Sequence, residues 1–229
     1  MDHFHYREGQ YFAEGVPLAR IASVVGTPCY VYSRAILEQR WRLFNDAFGD
    51  YPHRIHYAVK ANGNLAILKL LRQMGSGFDI VSGGELERVL KAGGRPDDIV
   101  FSGVGKSELE IATALETGIH CINVESAAEL DRVNHIAGTL GVVADLALRI
   151  NPDVDPHTHP YISTGLRENK FGIPADQMPG LVRQAHDANH VNIIGLACHI
   201  GSQLTELSPF IAALDCVVDL VFSLRQEGL

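Results

Sequence analysis

Lys60 is the residue of this chain whose type and setting most directly predict chemistry. It lies within His56–Asn62 (HYAVKAN), where a short apolar strand is predicted to give way to a turn and a helix. Only five lysines occur among the 229 residues, so solubility is a poor explanation for one at the end of a buried strand. Desolvation lowers the pKa of an ammonium group, and the neutral amine is the form that attacks a carbonyl. Lys60 is therefore a candidate Schiff-base lysine with pyridoxal phosphate as its carbonyl partner, the alternative being a strand-end lysine that reaches into water.

Polar residues at the ends of six predicted strands give Lys60 a set of candidate neighbours. They are Lys60 itself, Asp79 with Ser82–Glu85, Ser102–Lys106, Glu125 with Ser126, Arg149–Asn151 and His199–Gln203. In a barrel of alternating strands and helices, the carboxyl ends of the strands face the one mouth at which active sites lie. We therefore expect these six groups to converge on a single site.

Three of these strand ends suggest specific roles, each with a plainer alternative. Asp79 is expected to hold the positive charge at Lys60, or else to cap a turn. His199 is expected to lie flat against a cofactor ring, or else to be a hydrogen-bonded core histidine. Gly201 and Ser202 offer backbone N–H groups and a hydroxyl, which suit a phosphate.

The other strand ends leave more than one role open. Ser102–Lys106 is similar to a phosphate-binding loop but lacks the spacing of a P-loop, which argues against a nucleoside triphosphate. Glu125 would either cap the following helix or touch a ligand. Arg149 would either pair with a carboxylate of another loop inside the barrel or contact substrate.

The elements that must position these residues alternate between strand and helix. The predicted strands are short apolar runs at Ile55–Val59, Phe78–Val81, Ile99–Phe101, Cys121–Val124, Leu146–Ile150 and Ile193–Ile200. Helical patterns lie between them, and one is predicted to begin with a capping box made by Ser107 and Glu110. From Tyr57 to Asn123 the units recur every 22 residues, which is the length of a strand, a helix and two tight loops.

This repeat favours one fold class over others. Repeated strand–helix units predict parallel strands joined by right-handed crossovers. Without a dinucleotide-binding glycine fingerprint, they favour an α/β fold of the (β/α)₈ TIM-barrel type, incomplete here with about six strands, over a complete six-stranded open domain. We expect residues 1–32 to form an N-terminal segment leading into the barrel. Residues 33–229 are then the truncated barrel, in the N-terminal portion of a longer protein.

Composition excludes several classes of protein. Hydrophobic residues make up 46% and charged residues 20%, as in a globular domain, and the net charge of −8 argues against nucleic-acid binding. The first residues contain no apolar signal region, and the longest apolar tract, Phe210–Leu224, contains Asp215 and Asp219, which predicts an amphipathic helix. The four cysteines lack metal-site spacing, so no metal is expected. Three of them lie in apolar stretches, which predicts buried, reduced thiols in a cytoplasmic protein.

Nine stretches, in this order, resemble the fold type III pyridoxal-phosphate decarboxylases and, within them, the diaminopimelate decarboxylases. The stretches are Thr27–Ser33, Tyr57–Asn62, Gly77–Leu86, Phe101–Ser107, Ile122–Ser126, Leu148–Pro152, His159–Gly165, Lys170–Ile173 and His199–Gln203. Together they span essentially the whole chain. Alanine racemases share the fold but continue differently after the lysine, and ornithine and arginine decarboxylases match less closely.

The resemblance implies a cofactor, a barrel type and roles for individual residues. The cofactor is pyridoxal phosphate, and the barrel is of the alanine racemase type, with the family's C-terminal β domain absent. Lys60 forms the Schiff base, Asp79 lies near it, and His199 stacks on the pyridine face. Ser202 and Gly201 contact the phosphate.

The resemblance also implies an activity and an assembly. The complete protein is expected to decarboxylate meso-2,6-diaminopimelate to L-lysine and carbon dioxide, the last step of lysine biosynthesis. Lys170 lies in a segment that faces the subunit interface in related decarboxylases, and the family implies a homodimer with shared active sites. The acidic partner of the ring nitrogen is expected beyond Leu229, so these 229 residues alone are expected to be inactive. The alternatives are a related decarboxylase for another diamino or carrier-bound amino acid, and a non-catalytic homologue that binds the cofactor.

Overall fold

A computed structural model describes residues 3–154 and 171–229. Ten strands are described: β1 Phe4–Arg7, β2 Gln10–Ala13, β3 Val16–Pro17, β4 His56–Ala58, β5 Gly77–Ile80, β6 Ile99–Phe101, β7 Cys121–Val124, β8 Ala144–Asn151, β9 Ile173–Pro174 and β10 Val191–Cys198. The eight α-helices are α1 Leu18–Val25, α2 Arg34–Asp46, α3 Leu65–Gln73, α4 Gly83–Lys91, α5 Glu108–Thr117, α6 Ala127–Leu140, α7 Met178–His186 and α8 Ser208–Gln226.

The N-terminal residues form a small antiparallel sheet with strand order β1-β2-β3, followed by α1. Glu14 ties this sheet to α2, because its Oε1 accepts a hydrogen bond of 2.6 Å from Ser33 Oγ and one of 3.0 Å from the Ala35 amide. Ser33 also caps α2 by accepting from the Ile36 amide at 3.1 Å. The predicted division between residues 32 and 33 falls immediately before this cap.

The larger sheet contains six parallel strands in the order β4-β5-β6-β7-β8-β10, and the short β9 pairs with the end of β8. Within the described ranges, β4 and β10 are its two edges. The predicted α/β class and six parallel strands are confirmed. The bounds of β6 and β7 match the prediction residue for residue. The strand β8 is longer than predicted, and β10 begins and ends two residues earlier than predicted, because the two strands pair with each other from Ala144 and Val191 onward.

The register of the sheet explains the sequence repeat. Paired residues in β4 to β7 are 21 positions apart, as for Tyr57 with Phe78 and Phe78 with Ile99. Residues 22 positions apart therefore fall on opposite faces of neighbouring strands, since side chains alternate along a strand. Phe101 is accordingly buried in the hydrophobic core, whereas Asp79 and Asn123 face the inside of the partial barrel.

The hydrophobic core lies between the sheet and its helices. Phe78 and Ile80 on β5 are fully buried, and they pack with helix residues such as Leu68 and Leu86. Because neighbouring side chains on a strand point to opposite faces, burial of Phe78 and Ile80 turns Asp79, which lies between them, to the barrel interior.

Helix caps fix where the strand ends stop and the helices begin. Asn64, Ser82, Ser107 and Ser126 accept hydrogen bonds from backbone amides at the starts of α3, α4, α5 and α6. The capping box of Ser107 and Glu110 is confirmed. Each cap follows directly on a polar strand-end segment, so the loops that carry these segments are held close to the sheet.

All four cysteines are free thiols, but their burial differs from the prediction. Cys121 is buried and Cys216 is partly buried, whereas Cys198 is exposed, because it ends the edge strand β10. Among the described residues, none of the helices combines the length and apolar character that crossing a membrane requires.

Candidate active site

A cavity of about 690 Å³ lies inside the partial barrel and reaches the ends of its strands. Its wall contains Lys60, Asp79, Arg149 and His199, four of the residues singled out from the sequence. They come from four different strands or the turns that follow them. The predicted convergence of strand ends is therefore present for these four residues.

Lys60 lies on a short 3₁₀ turn, Val59–Ala61, that directly follows β4. Val59 is buried and anchors the turn, while the Lys60 side chain is exposed. The burial of Lys60 that the sequence led us to expect is therefore not observed. The positive charge of Lys60 instead acts on the neighbouring side chains, since it lowers the pKa values of both Asp79 and His199.

Asp79 combines burial with a short hydrogen bond. Burial raises the pKa of its carboxyl group above the usual range, because the ionised form is poorly solvated there. Four effects oppose this, the largest being the hydrogen bond that Ser102 Oγ donates to Asp79 Oδ1 at 2.5 Å, followed by the charges of Lys60, His56 and Arg149. Ser102 Oγ itself accepts from Asn123 Nδ2 at 2.9 Å.

His199 comes directly after β10 and faces the same cavity. Burial lowers the pKa of its imidazole, and the positive charges of Arg149 and Lys60 lower that pKa further. All three effects disfavour the imidazolium ion. The ring is therefore held in its neutral form near physiological pH.

Arg149 is fixed by an ion pair with a buried carboxylate. Its Nη1 lies 2.7 Å from Glu125 Oε1, and the side chains of Arg149 and Glu125 are only 12% and 4% exposed. The Gly103 amide donates to the same Glu125 oxygen at 3.1 Å, and the Arg149 guanidinium lies 5.5 Å from the Phe171 ring centroid. Ser126 and not Glu125 caps α6, and Glu125 does not line the cavity that contains Lys60. The predicted interior ion pair of Arg149 is present.

Lys106 has a role that the sequence analysis missed. Its side chain is 1% exposed, and Nζ donates to Gly103 O at 2.6 Å, Asn123 O at 2.8 Å and Glu129 Oε1 at 2.9 Å. The other Glu129 oxygen accepts from the Glu125 amide at 2.7 Å. Lys106 therefore joins the loop after β6 to the end of β7 and the start of α6, and its amine is turned away from any phosphate in the cavity.

The two predicted phosphate contacts are not in the wall of this cavity. Gly201 and Ser202 follow β10, but Gly201 lines a separate cavity of about 370 Å³ beside α8, and Ser202 is exposed. Their phosphate contact stays a prediction. Lys170 and the stretch from His159 to Gly165 lie outside the described residues.

Ser102 lines the cavity as the first residue of the predicted strand-end segment Ser102–Lys106, whereas Asn123 is a cavity residue to which the sequence analysis assigned no role. Asn123 lies between Ile122 and Val124, which are both fully buried in the core. A polar residue between two apolar residues of a strand faces the opposite side of the sheet, so this alternation could have identified Asn123.

Comparison with known proteins assigns the chain that forms this cavity to a family. Residues 34–229 match the family described as pyridoxal-dependent decarboxylase, pyridoxal-binding domain. Curated diaminopimelate decarboxylases of Vibrio cholerae and Pseudomonas aeruginosa are 59% and 55% identical to this chain over its whole length. The chain spans about half the length of these relatives, 55% in both cases.

Solved structures are similar over the same region. Diaminopimelate decarboxylase from M. jannaschii, in co-complex with L-lysine, superposes with a TM-score of 0.93 at 39% identity, covering 100% of this chain and 54% of that one. The Helicobacter pylori enzyme, also complexed with L-lysine, has a TM-score of 0.89 at 43% identity, covering 92% of this chain and 54% of that one. With a family match over residues 34–229 and a lysine, an aspartate and a histidine on one cavity wall, the chain belongs to the pyridoxal-dependent decarboxylases.

Proposed function

We propose that the complete protein is a carboxy-lyase that uses pyridoxal phosphate to convert meso-2,6-diaminopimelate into L-lysine and carbon dioxide. The observation that carries the proposal is the meeting of Lys60, Asp79, Arg149 and His199 on the wall of one cavity, in a chain of the pyridoxal-dependent decarboxylase family.

The residues of the cavity fit pyridoxal phosphate. The volume of about 690 Å³ lies within the roughly 300–1,000 Å³ typical of small-molecule sites. Its wall offers the primary amine of Lys60, which can react with a carbonyl group, and the carboxylate of Asp79, which can balance a nearby positive charge. It also offers the neutral imidazole of His199, which can lie against an aromatic ring. Lys60, Asp79 and His199 would hold the group, with Gly201 and Ser202 as the proposed phosphate contacts.

When bound, pyridoxal phosphate supplies a carbonyl for attachment to an amine and a ring that accepts the electron pair left when carbon dioxide departs. The chain's own residues would orient the reactants and control charge. Lys60 would attach the cofactor through its amine and exchange that attachment with the substrate amine. Asp79 would balance positive charge at the Lys60 nitrogen, and the neutral His199 ring would lie against the aromatic face.

Arg149 would bind a substrate carboxylate. Its guanidinium is held by Glu125 at 2.7 Å and cannot readily turn away, so the positive charge keeps a fixed place on the cavity wall. A planar guanidinium can pair with a carboxylate through two parallel hydrogen bonds.

The choice of substrate rests on the relatives. The curated relatives from Vibrio cholerae and Pseudomonas aeruginosa carry the name diaminopimelate decarboxylase, and the M. jannaschii and Helicobacter pylori structures contain L-lysine. L-lysine is what remains when one carboxyl group of diaminopimelate is replaced by hydrogen. This supports diaminopimelate as the substrate of the complete protein.

An assay of the complete protein tests the proposal. With pyridoxal phosphate present, meso-2,6-diaminopimelate should yield carbon dioxide and L-lysine in equal amounts. Lys60→Ala should abolish turnover, whereas Lys69→Ala, at an exposed lysine on α3, should keep it. Faster turnover of ornithine or arginine would reject the substrate assignment, and full activity in Lys60→Ala would reject the role of Lys60.

We also propose that the complete protein is a homodimer and acts in the cytoplasm. The homodimer follows from what the family resemblance implies, with Lys170 near the interface. The four free thiols support a reducing compartment. Light scattering on the purified complete protein should give twice the monomer mass, and a monomeric mass at assay concentration would reject the dimer.

A further inference from the structure

We propose that Ser102, oriented by Asn123, is a positioning residue that holds the Asp79 carboxylate in place to balance the charge on Lys60. This inference rests on the proposed function, since it assigns to the cavity a hydrogen-bonded relay that controls the Lys60 nitrogen. Ser102 and Asn123 line the same cavity as Lys60 and Asp79.

The hydrogen bonds of the relay run in one direction. Asn123 Nδ2 can only donate, and it lies 2.9 Å from Ser102 Oγ, so the serine oxygen accepts. The single hydroxyl proton of Ser102 is then free to point at Asp79 Oδ1, 2.5 Å away. An O–H···O distance this short is typical of a bond to an ionised acceptor.

Asn123 and Ser102 are held in place by the buried hydrogen bonds of Lys106 and Glu125. The Asn123 carbonyl accepts a hydrogen bond of 2.8 Å from Lys106 Nζ, and β7 pairs with both β6 and β8. Gly103, the residue after Ser102, is held from both sides, because its amide donates to Glu125 and its carbonyl accepts from Lys106. Ser102 and Asn123 therefore keep their relative positions without help from a ligand.

The charges around Asp79 explain why such a relay matters. Burial favours the neutral carboxyl group, while the Ser102 hydroxyl and the charges of Lys60, His56 and Arg149 favour the carboxylate. Cys121 is a further titratable neighbour, and its thiol is kept protonated because burial raises its pKa to about 11. The hydroxyl is the largest of the effects that favour the carboxylate, so its loss would weaken the negative charge beside Lys60.

The test follows the pH dependence of the cofactor's visible absorbance in the complete, loaded protein, which reports protonation of the Lys60 nitrogen. Ser102→Ala should lower the apparent pKa of that nitrogen by about one unit, because a nearby negative charge favours the protonated form. Asn123→Ala should lower it in the same direction by less, since the serine keeps its hydroxyl but loses its orientation. Ser102→Thr should restore the wild-type value, because threonine keeps the hydroxyl.

Ser107→Ala is the matched control, since Ser107 caps α5 on the same loop and makes no contact with Asp79. It should titrate as the wild type does. A Ser102→Ala protein that titrates as the wild type does, a Ser102→Thr protein that titrates as Ser102→Ala does, or an equal shift in Ser107→Ala would each overturn the positioning role. If the wild type forms no absorbing linkage at Lys60, the proposed function itself fails and the relay fails with it.

Discussion

Burial acts in opposite directions on the two titratable neighbours of Lys60. It raises the pKa of Asp79 and lowers the pKa of His199, because in each case the charged form is poorly solvated. Both shifts act against the charged form of the side chain. Lys60 and Arg149 place two positive charges on the cavity wall, which suits a ligand bearing phosphate or carboxylate groups.

Asp79→Asn should separate stability from function. Asp79 has a folded-state pKa above its unfolded value, so its contribution to stability is fully present below the unfolded pKa and is lost as pH rises through the folded pKa. At high pH the wild type must bury an ionised carboxylate, which costs free energy of folding. Asparagine is neutral at every pH and avoids this cost, and its side-chain oxygen can still accept the hydrogen bond from Ser102. Urea unfolding of the cofactor-free complete protein should therefore show the variant more stable than the wild type at pH 8, with the advantage shrinking toward pH 3.

The same substitution should lower decarboxylation about tenfold or more, since loss of roughly 1.4 kcal/mol of charge stabilisation has that effect on a rate. A variant that is less stable than the wild type at pH 8, or one that keeps full activity, would contradict the role given to Asp79.

At the scale of elements, the strand-end loops are held together by a buried ion pair. Lys106 on the loop after β6 and Glu129 on α6 are 1% and 7% exposed and lie 2.9 Å apart. The pair supports the end of β7 through Asn123 and the loop through Gly103. It therefore couples three elements that border the cavity.

Lys106→Met should destabilise the complete protein by about 3–5 kcal/mol, because it leaves the buried Glu129 carboxylate without its partner. Lys69→Met, at an exposed position on α3, is the matched control and should change stability by less than about 0.5 kcal/mol. Chemical denaturation checks both values. Equal, small effects of the two substitutions would show that the buried pair does not stabilise the loops.

The sequence predicts elements best where strong local signals bound them. Ile99–Phe101 and Cys121–Val124 are recovered without error, and α6 begins at its serine cap and ends before Gly141, which adopts the left-handed conformation. The ends of β8 and β10 are missed because pairing between the strands sets them. Local pattern carries no information on such partners.

The site is predicted in part for the same reason. Lys60, Asp79, Arg149 and His199 are brought together because parallel strands place their carboxyl ends at one mouth. The direction of the Lys106 side chain is not predictable from its loop, since two of its three acceptors, Asn123 O and Glu129 Oε1, lie on β7 and α6. Gly201 and Ser202 follow the same strand as His199 but do not line this cavity, so a position after β10 is not enough to predict where these residues lie.

At the scale of the whole molecule, the chain contains the cavity proposed for the cofactor but spans only about half the length of its curated relatives. Assays of the reaction are therefore designed for the complete protein, whereas the proposed attachment of the cofactor depends on Lys60, which this chain contains.

Attachment at Lys60 is the central claim, and chemical trapping tests it most directly. The complete protein is loaded with pyridoxal phosphate, reduced with borohydride, digested and mapped by mass spectrometry. We predict a single modified peptide, containing Lys60, and its loss in Lys60→Ala but not in Lys69→Ala. Modification at another lysine in the wild type, or no stable modification at all, would contradict the claim.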